Sequence, residues 1–109
     1  GDIPRAAEAM YFAALCRYQL GDYAAAEAQF TELYADSTKP AWIRERSAQD
    51  LARTRQARKD FTSAAATYRQ FIADFPESQG VDEALYHLTE LAFKADAVGD
   101  AEAATSALR

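Results

Sequence analysis

Cys16, His87 with its flanking glutamates, and three regularly placed aspartates are the side chains of this sequence with the most obvious chemical potential. Glu83, His87 and Glu90 stand at i, i+4 and i+7, so on a helix they share one face, and imidazole with carboxylates is a zinc-type donor set. One helix supplies too few ligands, however, and the sequence offers no second cluster, so no metal site is expected. The trio reads instead as a solvated charge pattern, with Glu90 and Lys94 as an ordinary helix-surface pair. Cys16 lies in an apolar stretch between Leu15 and Arg17 and is expected as a buried structural thiol; being the sole cysteine, it cannot form an internal disulfide. A nucleophile beside a base, two convergent carboxylates and a glycine-rich phosphate loop are all missing. The expectation is therefore a chain that is not an enzyme, with no catalytic residue and no cofactor.

The formal charge of -5 is spread along the chain, with acidic and basic residues interspersed. Phosphate backbones require a positive footprint, so nucleic acid is not an expected partner. Every apolar stretch is broken by a charge, such as Arg17, Glu27 or Asp36, well before the ~18 residues that a membrane span needs, which argues against direct insertion of this segment.

The aspartates lead to the elements. Gly21-Asp22, Lys59-Asp60 and Gly99-Asp100 each read as a helix stop followed by an N-cap: the first residue takes the left-handed conformation and the carboxylate receives the free amides of the next helix. Four residues after each aspartate stands an alanine (Ala26, Ala64, Ala104), and four further on a bulky residue (Phe30, Tyr68, Leu108). Ahead of each aspartate come Met10, Ala13 and Ala14, then Ala48, Leu51 and Ala52, then Leu88, Leu91 and Ala92. Asp22 and Asp60 are 38 residues apart and Asp60 and Asp100 are 40, a solenoid-like period. Alanine-rich segments with few β-branched residues favour helix. The periodicity predicts helices at about 5–20, 23–36, 40–58, 61–75, 81–97 and 100–109. Pro40 fits a first-turn position and Pro76 a helix exit.

The spacing Ala26-x3-Phe30, then Leu51-Ala52, Ala64-x3-Tyr68 and Pro76, then Leu88-x2-Leu91-Ala92 and Ala104 resembles the tetratricopeptide repeat over almost the whole chain. The tryptophan of that family's pattern is replaced by Met10, Ala48 and Leu88, and its tyrosine by Arg17, Arg55 and Ala95. The resemblance implies an all-α fold, a right-handed α-solenoid of three antiparallel helix hairpins. It implies one domain over 1–109 with units at about 5–38, 40–78 and 81–109. The longer units, and endings such as Tyr68-Arg-Gln-Phe-Ile-Ala-Asp-Phe-Pro-Glu-Ser, resemble envelope proteins in particular. These are lipoproteins of outer-membrane protein assembly and periplasmic partners of the Tol-Pal system, which would place the chain in the periplasm or cell envelope. With no asparagine, the chain lacks the asparagine and lysine clamp of the chaperone-binding members.

In that family the first helix of each pair lines a concave groove that binds a protein or peptide partner. Carried over, Glu8, Tyr11, Leu15 and Tyr18 would line it from the first unit, Arg46, Gln49, Arg53 and Gln56 from the second, and Tyr86, Thr89, Phe93 and Asp96 from the third. Aromatic ends around an arginine and amide centre would suit a segment with apolar anchors and a carboxylate. The same aromatics also fit plain interhelix packing, and Arg46 and Arg53 also fit pairing with Glu45 or Asp50. The first helix has little polar face, and the last is expected to be short. Both observations lead to the expectation of a fragment of a longer array, with self-association through apolar end helices as a further use of those faces. A structural spacer and a non-catalytic appendage of a larger enzyme are the alternative readings.

Overall fold

A computed structural model describes the backbone of residues 4–107 and the side chains of residues 5–94. Its elements are α1 (Pro4–Gln19), α2 (Tyr23–Ala35), α3 (Ala41–Ala57), α4 (Phe61–Asp74) and α5 (Val81–Ala107), with no strand among the described residues. The fold is all-helical and tetratricopeptide-like.

Two of the three aspartate turns form by the same local chemistry. At the end of α1, Gly21 takes φ 84°, its N–H donates to Tyr18 O at 3.0 Å, and the Asp22 N–H donates to Arg17 O at 2.9 Å. These two bonds satisfy carbonyls that a helix end would leave orphaned. Asp22 then opens α2, its carboxylate accepting from the Ala25 N–H at 3.4 Å. The α3–α4 turn repeats this: the Lys59 N–H donates to Gln56 O and the Asp60 N–H to Arg55 O, both at 2.9 Å, and Asp60 caps Ser63 N. Lys59 stands at φ 65° where the first turn uses glycine. A left-handed conformation strains a side-chain-bearing residue, at about 1 kcal/mol.

The third turn does not form. Helix α5 runs without a break from Val81 to Ala107, so the expected helices at 81–97 and 100–109 are one, and the chain has two hairpins followed by a single long helix. A glycine within a helix costs only about 1 kcal/mol relative to alanine. The alanines on either side of Gly99 favour continuation, whereas a reversal is rewarded only if the following segment buries an apolar face. Ala104 and Leu108, the expected contacts of a sixth helix, lie outside the residues whose side chains are described.

The links between hairpins are also locally specified. Asp36 accepts from the Thr38 N–H at 2.9 Å and the Thr38 hydroxyl at 2.6 Å, and Pro40 stands just before the first turn of α3, as its N-cap. Between α4 and α5, Gly80 passes so close to α3 that a Cβ there would lie 1.9 Å from the Gln49 amide nitrogen.

The core has two parts that share α3. Ala7, Tyr11, Ala14, Ala26, Phe30, Leu33, Ile43 and Leu51 fill the space among α1, α2 and α3. Ala48, Ala52, Ala64, Tyr68, Phe71, Ala84 and Leu91 fill that among α3, α4 and α5. The buried alanines allow close helix approach, and the paired Ala26/Phe30 and Ala64/Tyr68 place a small and a large group one above the other. On the rear face Glu27 joins both Arg55, at 3.1 Å, and Arg58, while Arg55 also donates to Thr67 at 2.6 Å, so one carboxylate connects α2 with α3 and, through Arg55, with α4. Tyr34 donates to Asp74 and accepts at its backbone carbonyl from Arg44, binding the first hairpin to the second.

Cys16 is exposed, contrary to the expectation of a buried thiol. The inward face of α1 carries Ala7, Tyr11 and Ala14. Cys16, two residues past Ala14, is about 200° round the helix from it. It shares the outer face with Ala9, Phe12 and Ala13, all exposed.

Candidate partner-binding groove

Helices α1, α3 and α5 line one side of the molecule, and two open pockets lie between them. The first, of about 370 Å³, is lined by Tyr11 from α1, by Trp42, Glu45, Arg46, Gln49, Asp50 and Arg53 from α3, and by Gln79, Gly80 and Glu83 at the entry to α5. The second, of about 460 Å³, lies among Tyr18, Arg53, Gln56, Ala57, Glu83 and His87. Arg53 and Glu83 border both, making a continuous groove.

A chain of polar contacts forms its floor. The buried Tyr11 hydroxyl donates to Asp50 Oδ2 at 2.5 Å, and Arg53 reaches Asp50 Oδ1 at 3.5 Å and Glu83. Glu83 lies 3.5 Å from His87 Nε2, and His87 Nδ1 is 3.9 Å from Glu90. Gln56 closes the path, donating to Glu90 at 3.1 Å and accepting from the Tyr68 hydroxyl at 3.0 Å. Burial pushes the Asp50 carboxyl above the usual carboxylate range, against the pull of the Tyr11 hydroxyl and the two arginines. Hydrogen bonding to Arg53 holds Glu83 below its ordinary value, and burial raises the Tyr11 and Tyr68 hydroxyls.

At one rim Trp42 packs edge-on to Tyr11 at 6.1 Å, and the Arg46 guanidinium sits 6.0 Å from the indole. Trp42 is 41% exposed, which leaves a large aromatic surface beside a cation at the mouth of the groove.

Of the residues expected in a groove, Tyr11, Tyr18, Arg46, Gln49, Arg53 and Gln56 line these pockets. Tyr11 is also core, and Leu15 and Tyr18 are partly buried against the same cluster, so packing and lining are not exclusive there. Glu8 borders neither pocket. Tyr86, Thr89 and Phe93 are exposed on a different face of α5, and the side chain of Asp96 lies outside the described residues. The physical reason is the rotation between units: α5 turns Glu83, His87 and Glu90 towards α3. The positions equivalent to Arg46, Gln49 and Arg53 would form a wall only against another helix on their far side.

Trp42, Glu45, Asp50, Glu83 and His87 line the groove in addition to the residues expected there. The alternative pairing of Arg53 with Asp50 forms, at 3.5 Å. Arg53 is already engaged by two carboxylates, so the expected grip on a partner's carboxylate does not fall to it. His87 stacks on Tyr68 with ring centres 5.3 Å apart, and among the described residues no group of three His, Cys, Asp or Glu side chains is arranged to hold a metal ion. The expected Glu90–Lys94 pair is replaced by Glu90 with Gln56 and by Lys94 over the Phe61 ring at 5.4 Å. No described helix is long and apolar enough to cross a membrane.

No curated protein and no solved structure matches the chain. The outer membrane lipoprotein family YfiO matches residues 4–108, consistent with the helix pairs, their aspartate turns and the long repeat period. Its members have a tetratricopeptide-like fold and take part in envelope assembly, which points to the cell envelope or periplasm. The chain belongs to the YfiO family of outer membrane lipoproteins.

Proposed function

We propose that this chain is a non-catalytic interaction scaffold of the cell envelope, and that it takes an extended segment of a partner protein into the groove between α1, α3 and α5. The observation that carries this reading is the groove's composition. Its floor is a preformed polar network, and its rim presents an exposed indole and a guanidinium, the side chains that dominate protein-binding hot spots. Preorganisation lowers the cost of association because few groove side chains need to be ordered on binding.

The charges refine the expected partner. Glu45, Asp50, Glu83 and Glu90 outnumber Arg46 and Arg53 around the floor. A segment that offers backbone amides and hydroxyls to Gln49 and Gln56, and an apolar or aromatic side chain to Trp42, fits better than one centred on a carboxylate. Trp42 is the one tryptophan in the sequence, so its emission reports directly on the groove. Titration with extended peptides from envelope proteins should shift that emission saturably, and Gln49→Lys should weaken the response with the fold retained. If peptides bind by calorimetry with Trp42 emission unchanged, the groove reading fails.

A further inference from the structure

The odd-numbered helices follow one another by a repeated displacement. Leu15 and Tyr18 of α1 correspond, at the 38-residue offset, to Arg53 and Gln56 of α3, which look forward to Glu83 and Glu90 of α5. Asp50 of α3 looks back to Tyr11, and its counterpart at the 40-residue offset, Glu90, looks back to Gln56. Each odd helix therefore has a backward and a forward face.

Two such faces have no counterpart among the described residues. The backward face of α1 carries Ala9, Phe12 and Cys16, in the places held by Ser47, Asp50 and Thr54 in α3, and all three are exposed, Phe12 by 53%. The forward face of α5 carries Leu85, Thr89 and Phe93, in the places of Glu45, Gln49 and Arg53 in α3, and these are exposed too, Phe93 by 76%. Tyr86 adjoins them. At the α3–α5 junction both faces are polar, and at the α1–α3 junction polar Ser47, Asp50 and Thr54 of α3 meet Ala7, Tyr11 and Leu15 of α1, whereas at these two faces the positions are largely apolar. Apolar stripes of this kind mark interaction sites.

We propose that the two faces are halves of one interface, through which a second copy of the chain stacks head to tail, α1 of one copy against α5 of the next. The step would continue the displacement that carries α1 to α3 and α3 to α5. Side-chain size differs between the two faces: small Ala9, Ala13 and Cys16 surround Phe12 on α1, whereas Leu85, Tyr86 and Phe93 on α5 are all large and exposed. Charge agrees at the N-terminal ends of the two helices, where exposed Arg5 of α1 would come beside Asp82 in the first turn of α5. The interface is heterologous and does not close on itself, so assembly is open-ended. One helix pair buries little area, which makes each contact weak.

Sedimentation of the 109-residue chain over roughly 10 µM to 1 mM, the range in which a small contact associates, tests this directly. The weight-average mass should rise with concentration and pass beyond a dimer. Phe12→Glu and Phe93→Glu, both at exposed positions, should each remain monomeric while melting as the wild type does. Mixed in equal amounts they should form dimers and stop there, because only the α1 face of the Phe93 variant and the α5 face of the Phe12 variant remain intact. A wild-type mass that stays monomeric throughout would assign the faces to a different partner and overturn the proposal. Self-association surviving in either variant alone would overturn it in favour of like-with-like pairing. Failure of the mixture to associate would refute the head-to-tail geometry, and the wild-type series stands independently of how well either variant folds.

Discussion

Replacing Tyr11 with phenylalanine removes one oxygen and tests whether the groove floor holds α1 to α3. The ring would stay in its buried place between Phe30, at 6.0 Å, and Trp42, at 6.1 Å, so packing changes little. Asp50 loses the donor at 2.5 Å and keeps Arg53 at 3.5 Å. Hydrogen bonds to charged groups contribute ~1.5–3 kcal/mol, and with Tyr11 almost closed to water the expected loss near neutral pH is about 2 kcal/mol. For a chain of this length that lowers the melting temperature by about 8 °C. The loss should depend on pH. Burial raises the folded pKa of Asp50 above its unfolded value, so stability falls as pH rises through the window between the two. The Tyr11 hydroxyl pulls that pKa down. Without it the folded value rises further, the window widens, and the gap between variant and wild type grows with pH and narrows towards about pH 4. Urea unfolding followed by far-ultraviolet circular dichroism at several pH values measures this, with Tyr18→Phe, which removes no such bond, as the control. A loss under about 0.5 kcal/mol at neutral pH, or an equal loss at about pH 4 and pH 8, would refute the role assigned to the Tyr11–Asp50 contact.

Lys59→Gly should stabilise the chain by about 0.5–1 kcal/mol by relieving the left-handed residue, visible as a higher urea midpoint; Gly21→Ala should do the reverse. Asp60→Ala removes the cap of α4 and should cost about 1 kcal/mol by the same measurement, with most of it recovered in Asp60→Ser. Phe30→Ala empties the first core and should cost ~3–5 kcal/mol, the largest effect among these substitutions. The carboxyl of Glu83 is held below its ordinary value by Arg53, so its contribution is present above the unfolded pKa and disappears as pH falls through the folded one. Glu83→Gln should therefore flatten the acid limb of the stability profile, by well under 1 kcal/mol because the pair is half exposed.

Helices α1 to α4, the first two aspartate turns and the alanine–aromatic contacts were legible in the sequence because each is decided within a few residues. A left-handed residue followed by an N-cap ends one helix and starts the next wherever it occurs with a packed neighbour, and Ala26/Phe30 and Ala64/Tyr68 need only the helical repeat to stand in line. Tertiary structure alone decided whether Gly99-Asp100 would act as Gly21-Asp22 does. The same residue types favour a turn only when the chain beyond them gains contacts by folding back. It also decided the contents of the groove. Tyr11, Asp50, Arg53, Gln56, Glu83 and Glu90 meet across sequence separations of up to 39 residues, a juxtaposition set by the rotation from one odd helix to the next. That rotation turned Tyr86 and Phe93 away from the floor and brought Glu83 and His87 onto it. Local propensity sets where helices begin and which of their faces are apolar; packing between helices determines which face meets which.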